Sequence, residues 1–292
     1  MATLHFTHTL DHLKLPEKTL ILRLRPPPEA RQAALAVAPR FGLARTPEAG
    51  NLRQEGRTII YNEGELTLTT YQASGALRFH DLGRWQVDDG VSNVDFDEAE
   101  AEQVARRLIE KLDMAPRDEI RLMRSSKLSV GLMELTTRNS ETRAIDMAAI
   151  FQRTINDVPV LGPGGKVIVY LDHSREMTGV DRIWRDTDSV EREVARLQSM
   201  DFIREQMDRH TRDLHTAHVE VGKIEFGYYE LGYDDEQTVL QPAYVVPYSI
   251  RSPSGKGFRS FSEHVLPAAV DAPGAILPRR EVQPPQDPRS TR

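Results

Sequence analysis

Between Ala149 and Trp184 the chain reads AIFQRTINDVPVLGPGGKVIVYLDHSREMTGVDRIW, short apolar runs separated by turn residues. No other stretch restricts the possible folds as strongly. Val158–Leu161 leads into Gly162-Pro163-Gly164-Gly165, and Lys166–Asp172 then alternates around Val167, Val169 and Leu171. Two β-rich runs joined by such turn chemistry predict a hairpin. A second turn at His173–Glu176 returns the chain through Met177–Trp184. None of these residues forms a recognisable catalytic motif.

The rest of the chain reads as three cycles, each a helix followed by a strand meander. Residues 1–17 form a polar arm with His5, His8 and His12. Within 18–95, Leu20–Leu24 is a possible strand, and Pro28 opens a helix through Arg40 striped by Ala30, Ala33, Ala34, Val37 and Phe41. The runs Arg57–Tyr61, Glu65–Tyr71 and Ala76–Leu82 then read as a three-stranded meander. Within 96–186, Asp97 and Glu100 resemble a capping box before Val104, Leu108, Ile109 and Leu112. Strands follow at Glu119–Met123, Lys127–Thr136 and Asp146–Ile155. Within 187–268, Asp188 and Glu191 repeat that spacing ahead of Val190, Val194, Leu197, Ile203 and Met207, predicting a helix to about Asp213. Strands at Val219–Leu231, Val239–Ile250 and Phe258–Val265 follow, with a turn over Ser252–Gly257, and 269–292 is a Pro-rich tail expected to be disordered or draped. Each amphipathic helix needs an apolar sheet face to cover it. The expected fold is therefore α+β: antiparallel sheets each covered by a helix, in two or three helix-plus-meander units.

The phrase FQRTINDVPVLGPGGKVIVYLDHSREMTGVDRIW resembles the strand core of PepSY and thermolysin-propeptide-like domains. The matching residues are Phe151, Gln152, Pro159, Val160, Gly162, Gly165, Val167, Val169, Leu171, Asp172 and Gly179. The later piece LQPAYVVPYSIRSPSGKGFRSF is similar to the closing strands of such domains, so the resemblance spans roughly 149–185 and 240–262. It implies a cystatin-like arrangement, a helix packed on a curved antiparallel sheet. It also implies a mostly non-catalytic role as inhibitor, chaperone or sensor.

Composition narrows the function classes. With 39% hydrophobic and 28% charged residues the chain matches a globular protein. A net charge of −6 argues against generic nucleic-acid binding, which needs a basic face. There is no cysteine, which rules out disulfides, thiol catalysis and cysteine-held metal centres. The first residues, MATLHFTHTLDHLKLPEK, lack a basic segment followed by an apolar core, and no apolar run nears membrane-spanning length. A cytoplasmic protein with neither membrane nor nucleic-acid partner is expected.

Candidate chemistry is sparse. His215 and His218 have the i,i+3 spacing of weak metal ligands, but His210 and His215 point to different helix faces, and no metal or other cofactor is expected. Gly162–Lys166 is followed by Val167 and a strand, where a phosphate loop requires Ser or Thr and a helix. The segment KIEFGYYELGYDD sets Glu225 and Tyr229 on one face of a strand and Tyr228 on the other. With Tyr170, Trp184, Tyr244 and Tyr248, these rings are candidates for lining a ligand surface. Two functional readings follow. One is a non-catalytic module holding a peptide, a protein partner or a small apolar molecule on a curved sheet. The other is a cofactor-independent cyclase, isomerase or hydratase using a buried Glu225 with Tyr229.

Overall fold

A computed structural model describes residues 3–8, 13, 15–85, 94–133, 140–212, 218–251 and 259–277. The expected turn at Ser252–Gly257, the tail beyond Leu277, His12 and His215 lie outside these residues. The chain opens with β1 (Thr3–Phe6), β2 (Thr19–Leu24) and α1 (Ala30–Val37), which tightens into a 3₁₀ turn at Ala38–Phe41. Next come β3 (Leu52–Glu55), β4 (Thr58–Glu63), β5 (Leu66–Tyr71), β6 (Leu77–Asp81) and α2 (Glu98–Lys111). The central strands are β7 (Ile120–Met133), β8 (Ser140–Ile155), β9 (Val158–Leu161), β10 (Lys166–Leu171), β11 (Met177–Ile183) and β12 (Thr187–Val194). The remainder is α3 (Met200–Thr211), β13 (His218–Val221), β14 (Glu225–Tyr229), β15 (Val239–Leu240), β16 (Pro242–Arg251) and β17 (Ser260–Pro267).

The expected α+β arrangement of helix-covered cystatin-like units is not what forms. Of the described residues, strand accounts for 47% and helix for 17%. Two compact units are present: a smaller one of Met1–Lys14, Val194–Glu225 and Ala243–Arg292, and a larger one of Leu15–Glu193 and Phe226–Pro242. The larger unit carries a sheet in the order β14-β9-β8-β10-β11-β6-β5-β4-β3, with β7 also on β8, and a separate sheet β12-β2-β15. Most pairs are antiparallel, but β14 runs parallel to β9. In the smaller unit β1 pairs parallel with β13, which pairs antiparallel with β16, and β17 adds to β16.

Two local expectations fail for identifiable reasons. The helix predicted from Asp188 is absent, and Thr187–Val194 is a strand of the small sheet. Its β-branched Thr187, Val190 and Val194 suit a pleated surface better than a helix. The helix starts eleven residues later by sequence number, where Ser199 Oγ accepts the Phe202 N–H at 3.4 Å. The predicted Gly162–Gly165 hairpin is also absent. Strands β9 and β10 do not pair with each other; both pair with β8, which lies between them. The hairpin turn sits instead at Asn156-Asp157, both in the left-handed region at φ 50 and 63°, as a tight β8–β9 connection requires. The Gly-rich segment carries the chain across β8. Gly162, at φ 85°, has no room for a Cβ, which would stand 2.7 Å from the Glu230 carbonyl oxygen. Lys166 donates to the carbonyls of Val160, Gly162 and Gly164, so its ammonium serves this crossing and not a phosphate.

One face of the larger sheet is the core. Ala101, Ala105 and Ile109 of α2 pack with Phe151, Val167, Val169, Leu171 and Val180, and Phe41 stacks on Phe79 at 4.5 Å. Burying side chains of the size of Ile109 or Leu171 contributes roughly 1.5–3 kcal/mol each. Asp97 caps α2 by accepting the Glu100 N–H at 2.9 Å. Alternation along each strand sends Asp146, Tyr170, Asp181, Arg78 and His80 to the opposite face. No described helix is long and apolar enough to cross a membrane.

Candidate functional site

Where β11 ends, Arg182, Trp184, Arg185 and Asp186 form one wall of a cleft of about 250 Å³. Pro26, Pro27 and Pro28, which stop β2, and Ala33, Ala36 and Val37 of α1 form the facing wall. Proline cannot donate to a sheet and fixes φ, so the triplet is a stiff apolar surface. Gly75, Leu77 and Met114 complete the apolar lining, with Trp184 contributing from the core. The Arg153 guanidinium lies 4.5 Å from the Trp184 ring centroid and supports it from behind.

Most polar groups around this cleft are committed. Arg182 donates from Nε to the Met114 carbonyl at 2.6 Å and from Nη2 to Asp186 at 3.2 Å. Arg40 donates to the Leu112 carbonyl at 2.8 Å and to Asp113 at 3.5 Å. Ser74 donates to the Tyr233 carbonyl and Thr70 to that of Ala30. Other arginine donors are left over. The Arg25 guanidinium has no side-chain partner among the described residues; only its backbone N–H is used, on the Asp186 carbonyl. The Arg185 side chain is 3% exposed, yet its Nε has no hydrogen-bond partner.

Arg185 is held by the rest of its fork. Nη1 donates to the Leu231 carbonyl at 2.8 Å and Nη2 to the Gly232 carbonyl at 2.8 Å. Its ion-pair partner is Glu230, fully buried, whose Oε1 accepts the Arg185 N–H at 2.9 Å and Nη1 at 3.4 Å. Burial pushes the Glu230 carboxyl pKa up, opposed by Arg185 and Arg153, and burial pushes those of Arg182 and Arg185 down.

On the sheet face away from the helices a second polar group forms. Asp181 accepts from Arg78 Nε at 3.0 Å and from the Tyr170 hydroxyl at 3.3 Å, with His80 Nε2 at 3.8 Å. Burial and then Asp181 push Tyr170 up to about 12, while burial lowers His80. Strand register sets Asp146 diagonal to Tyr170, because Tyr170 pairs with Ala148. Asp146 Oδ2 accepts from Thr178 at 2.9 Å, and Oδ1 has no partner in hydrogen-bond geometry. Burial raises Asp146 to about 6; Asp172 pushes the same way, while Thr178 and the nearby Trp85 indole oppose it.

The residues singled out in the sequence are scattered by the fold. Trp184 lines the cleft and Tyr170 joins the Asp181 group. Tyr228 is buried, its hydroxyl accepting from Thr19 and Leu20. Tyr229 is buried against Gly162. Tyr244 is buried and donates to the Gln198 carbonyl at 3.1 Å, with its pKa pushed up to about 12. Tyr248 is buried and meets His210 Nε2 at 2.9 Å. Glu225 is exposed, so the buried acid on that segment is Glu230, and Glu225 and Tyr229 form no acid–tyrosine pair in a cavity. His218 is exposed, and no group of potential metal ligands occurs among the described residues. Reading the sequence missed Arg25, Arg182, Arg185 and Asp146. A signal existed for Asp146, a lone charge within the apolar run AIDMAAIF, and for the arginines, which bracket Ile183-Trp184 where the strand stops.

The fold has a solved counterpart. A structure titled as an uncharacterized protein from Eubacterium rectale ATCC 33656 is similar, with a TM-score of 0.54 over 89% of this chain and 87% of that one, at 11% identity. That likeness speaks to the fold alone. No protein-family model and no curated protein matches the chain.

Proposed function

We propose that this chain is a binding module that holds a small organic ligand, or a side chain of a peptide partner, in the cleft beside Trp184. The observation that carries the reading is the composition of that cleft: stiff apolar walls with a few convergent donors and no paired nucleophile and base. Ala36 lines the cleft from the exposed side of α1, so Ala36→Trp fills it without disturbing the core. A ligand panel read by thermal shift should yield at least one binder for the wild type, with the shift lost in Ala36→Trp. Shifts that persist unchanged in the variant would place the binding elsewhere and end the proposal.

A second reading, cofactor-independent catalysis, is favoured by Asp146. A buried carboxyl near 6 with one free oxygen, diagonal to Tyr170, is suited to moving a proton at neutral pH. The test is deuterium incorporation from D₂O into small carbonyl compounds, followed by proton NMR with Asp146→Asn as control. Exchange no faster than in that control removes the catalytic reading.

A further inference from the structure

We infer that the ligand of the Trp184 cleft is a compact amphiphile with a single carboxylate head and an unbranched apolar body. The inference rests on the binding reading above and specifies its chemistry. Its basis is the count of uncommitted groups. Arg40 and Arg182 are each tied to a main-chain carbonyl and an aspartate, and Thr70 and Ser74 are tied to carbonyls. The Arg25 guanidinium remains, exposed and lining the cleft, while the unpartnered Arg185 Nε is closed off from solvent. A carboxylate can take two charge-assisted bonds from the free Arg25 fork. Asp113, Asp186 and Glu230 match Arg40, Arg182 and Arg185, which leaves Arg25 as one unmatched positive charge on the lining.

The same features exclude neighbouring chemistries. An ammonium head would meet unpaired guanidinium. A phosphate dianion would exceed the single unmatched positive charge of Arg25 and would approach Asp113 and Asp186. The walls of proline, alanine, valine and leucine offer an alkyl chain contact and a polar body nothing. At about 250 Å³ the cleft is just below the usual range for drug-sized ligands, roughly 300–1,000 Å³, so the body is short.

The test is calorimetric titration of the full chain with octanoate, octanol, octylamine and octyl phosphate, each below its aggregation concentration. Octanoate is expected to bind at least tenfold more tightly than octanol. Arg25→Gln should remove most of that preference and leave octanol binding unchanged. Arg25 is exposed and its side chain has no hydrogen bond or ion pair among the described residues, so this variant is expected to keep the fold. If octanol matches octanoate, the carboxylate inference falls and the binding reading stands. Tighter binding of octylamine or octyl phosphate than of octanoate also overturns it. If none of the four binds, both the amphiphile and the cleft as its site are refuted. The ligand panel with Ala36→Trp then decides separately whether the cleft binds anything.

Discussion

Arg185 shows how one residue can serve packing and recognition together. Three of its donors knit the chain at Leu231–Asp235 to the end of β11, and its charge neutralises Glu230. Replacing it alone strands a carboxylate with no solvent. Arg185→Met is expected to cost roughly 3–5 kcal/mol in chemical denaturation, whereas Arg185→Met with Glu230→Met recovers most of the loss. A single variant within about 1 kcal/mol of wild type would show that Glu230 is folded as the neutral acid. Neither residue was distinguishable in the sequence, since the pairing joins positions 45 apart and both types are common on surfaces. Trp184 was legible as an amphipathic ring at a strand end. Its neighbours Arg25 and Ala36 were not, because only folding brings the Pro26–Pro28 segment alongside β11.

Among elements, what could be read locally depended on whether the signal was itself local. The meander of β4, β5 and β6 and the Asp97 cap of α2 follow from residues adjacent in sequence, and they form as such. The Gly162–Gly165 segment has equally good turn chemistry, yet it joins strands that share β8 as a common neighbour. Turn residues specify that the chain bends there, not which strand it meets next. The Asp188–Glu191 spacing imitated a cap because two acids three residues apart fall by chance in β12, a strand whose residues 188–191 are exposed. The true start gives a sharp contrast: Ser199→Ala should cost about 1 kcal/mol, while Asp188→Ala should stay within about 0.5 kcal/mol. Urea denaturation of the two variants decides it, and the reverse ranking would place the helix start wrongly.

At the scale of the whole molecule, stability depends on groups that titrate in opposite senses, among them the buried Asp146 and the half-buried His264. Asp146 is raised to about 6 from 3.8, so the folded chain binds a proton that the unfolded chain has already released. Its contribution is present below pH 4 and is lost as pH rises through 6, with a slope of up to about 1.4 kcal/mol per unit. His264 stacks on His210 at 4.1 Å, and burial and then that neighbour lower it to about 4 from 6.5. There the unfolded chain binds the proton first, so this contribution is present above pH 6.5 and is lost as pH falls towards 4. His210 is also lowered by burial, adding in the same sense. Relative to the wild type, whose slope sums all of these groups, Asp146→Asn should shift the slope of stability against pH upward between pH 4 and 6, and His264→Phe should shift it downward. Parallel curves for all three proteins, measured by urea denaturation, would contradict both assignments.

The order in which the larger unit draws on the chain has a consequence for synthesis. Its last strands, β14 and β15, and Glu230 come from Phe226–Pro242, after a stretch that belongs to the other unit. While the chain is still emerging from a ribosome, Leu15–Glu193 is complete in length but lacks Glu230 and the carbonyls that hold Arg185. The unit cannot close when its own first segment is finished. At about 5–20 residues per second, the wait for the missing strands is several seconds. During that interval the open edge of β9 and the unpaired guanidinium are available to chaperones or to a neighbouring nascent chain.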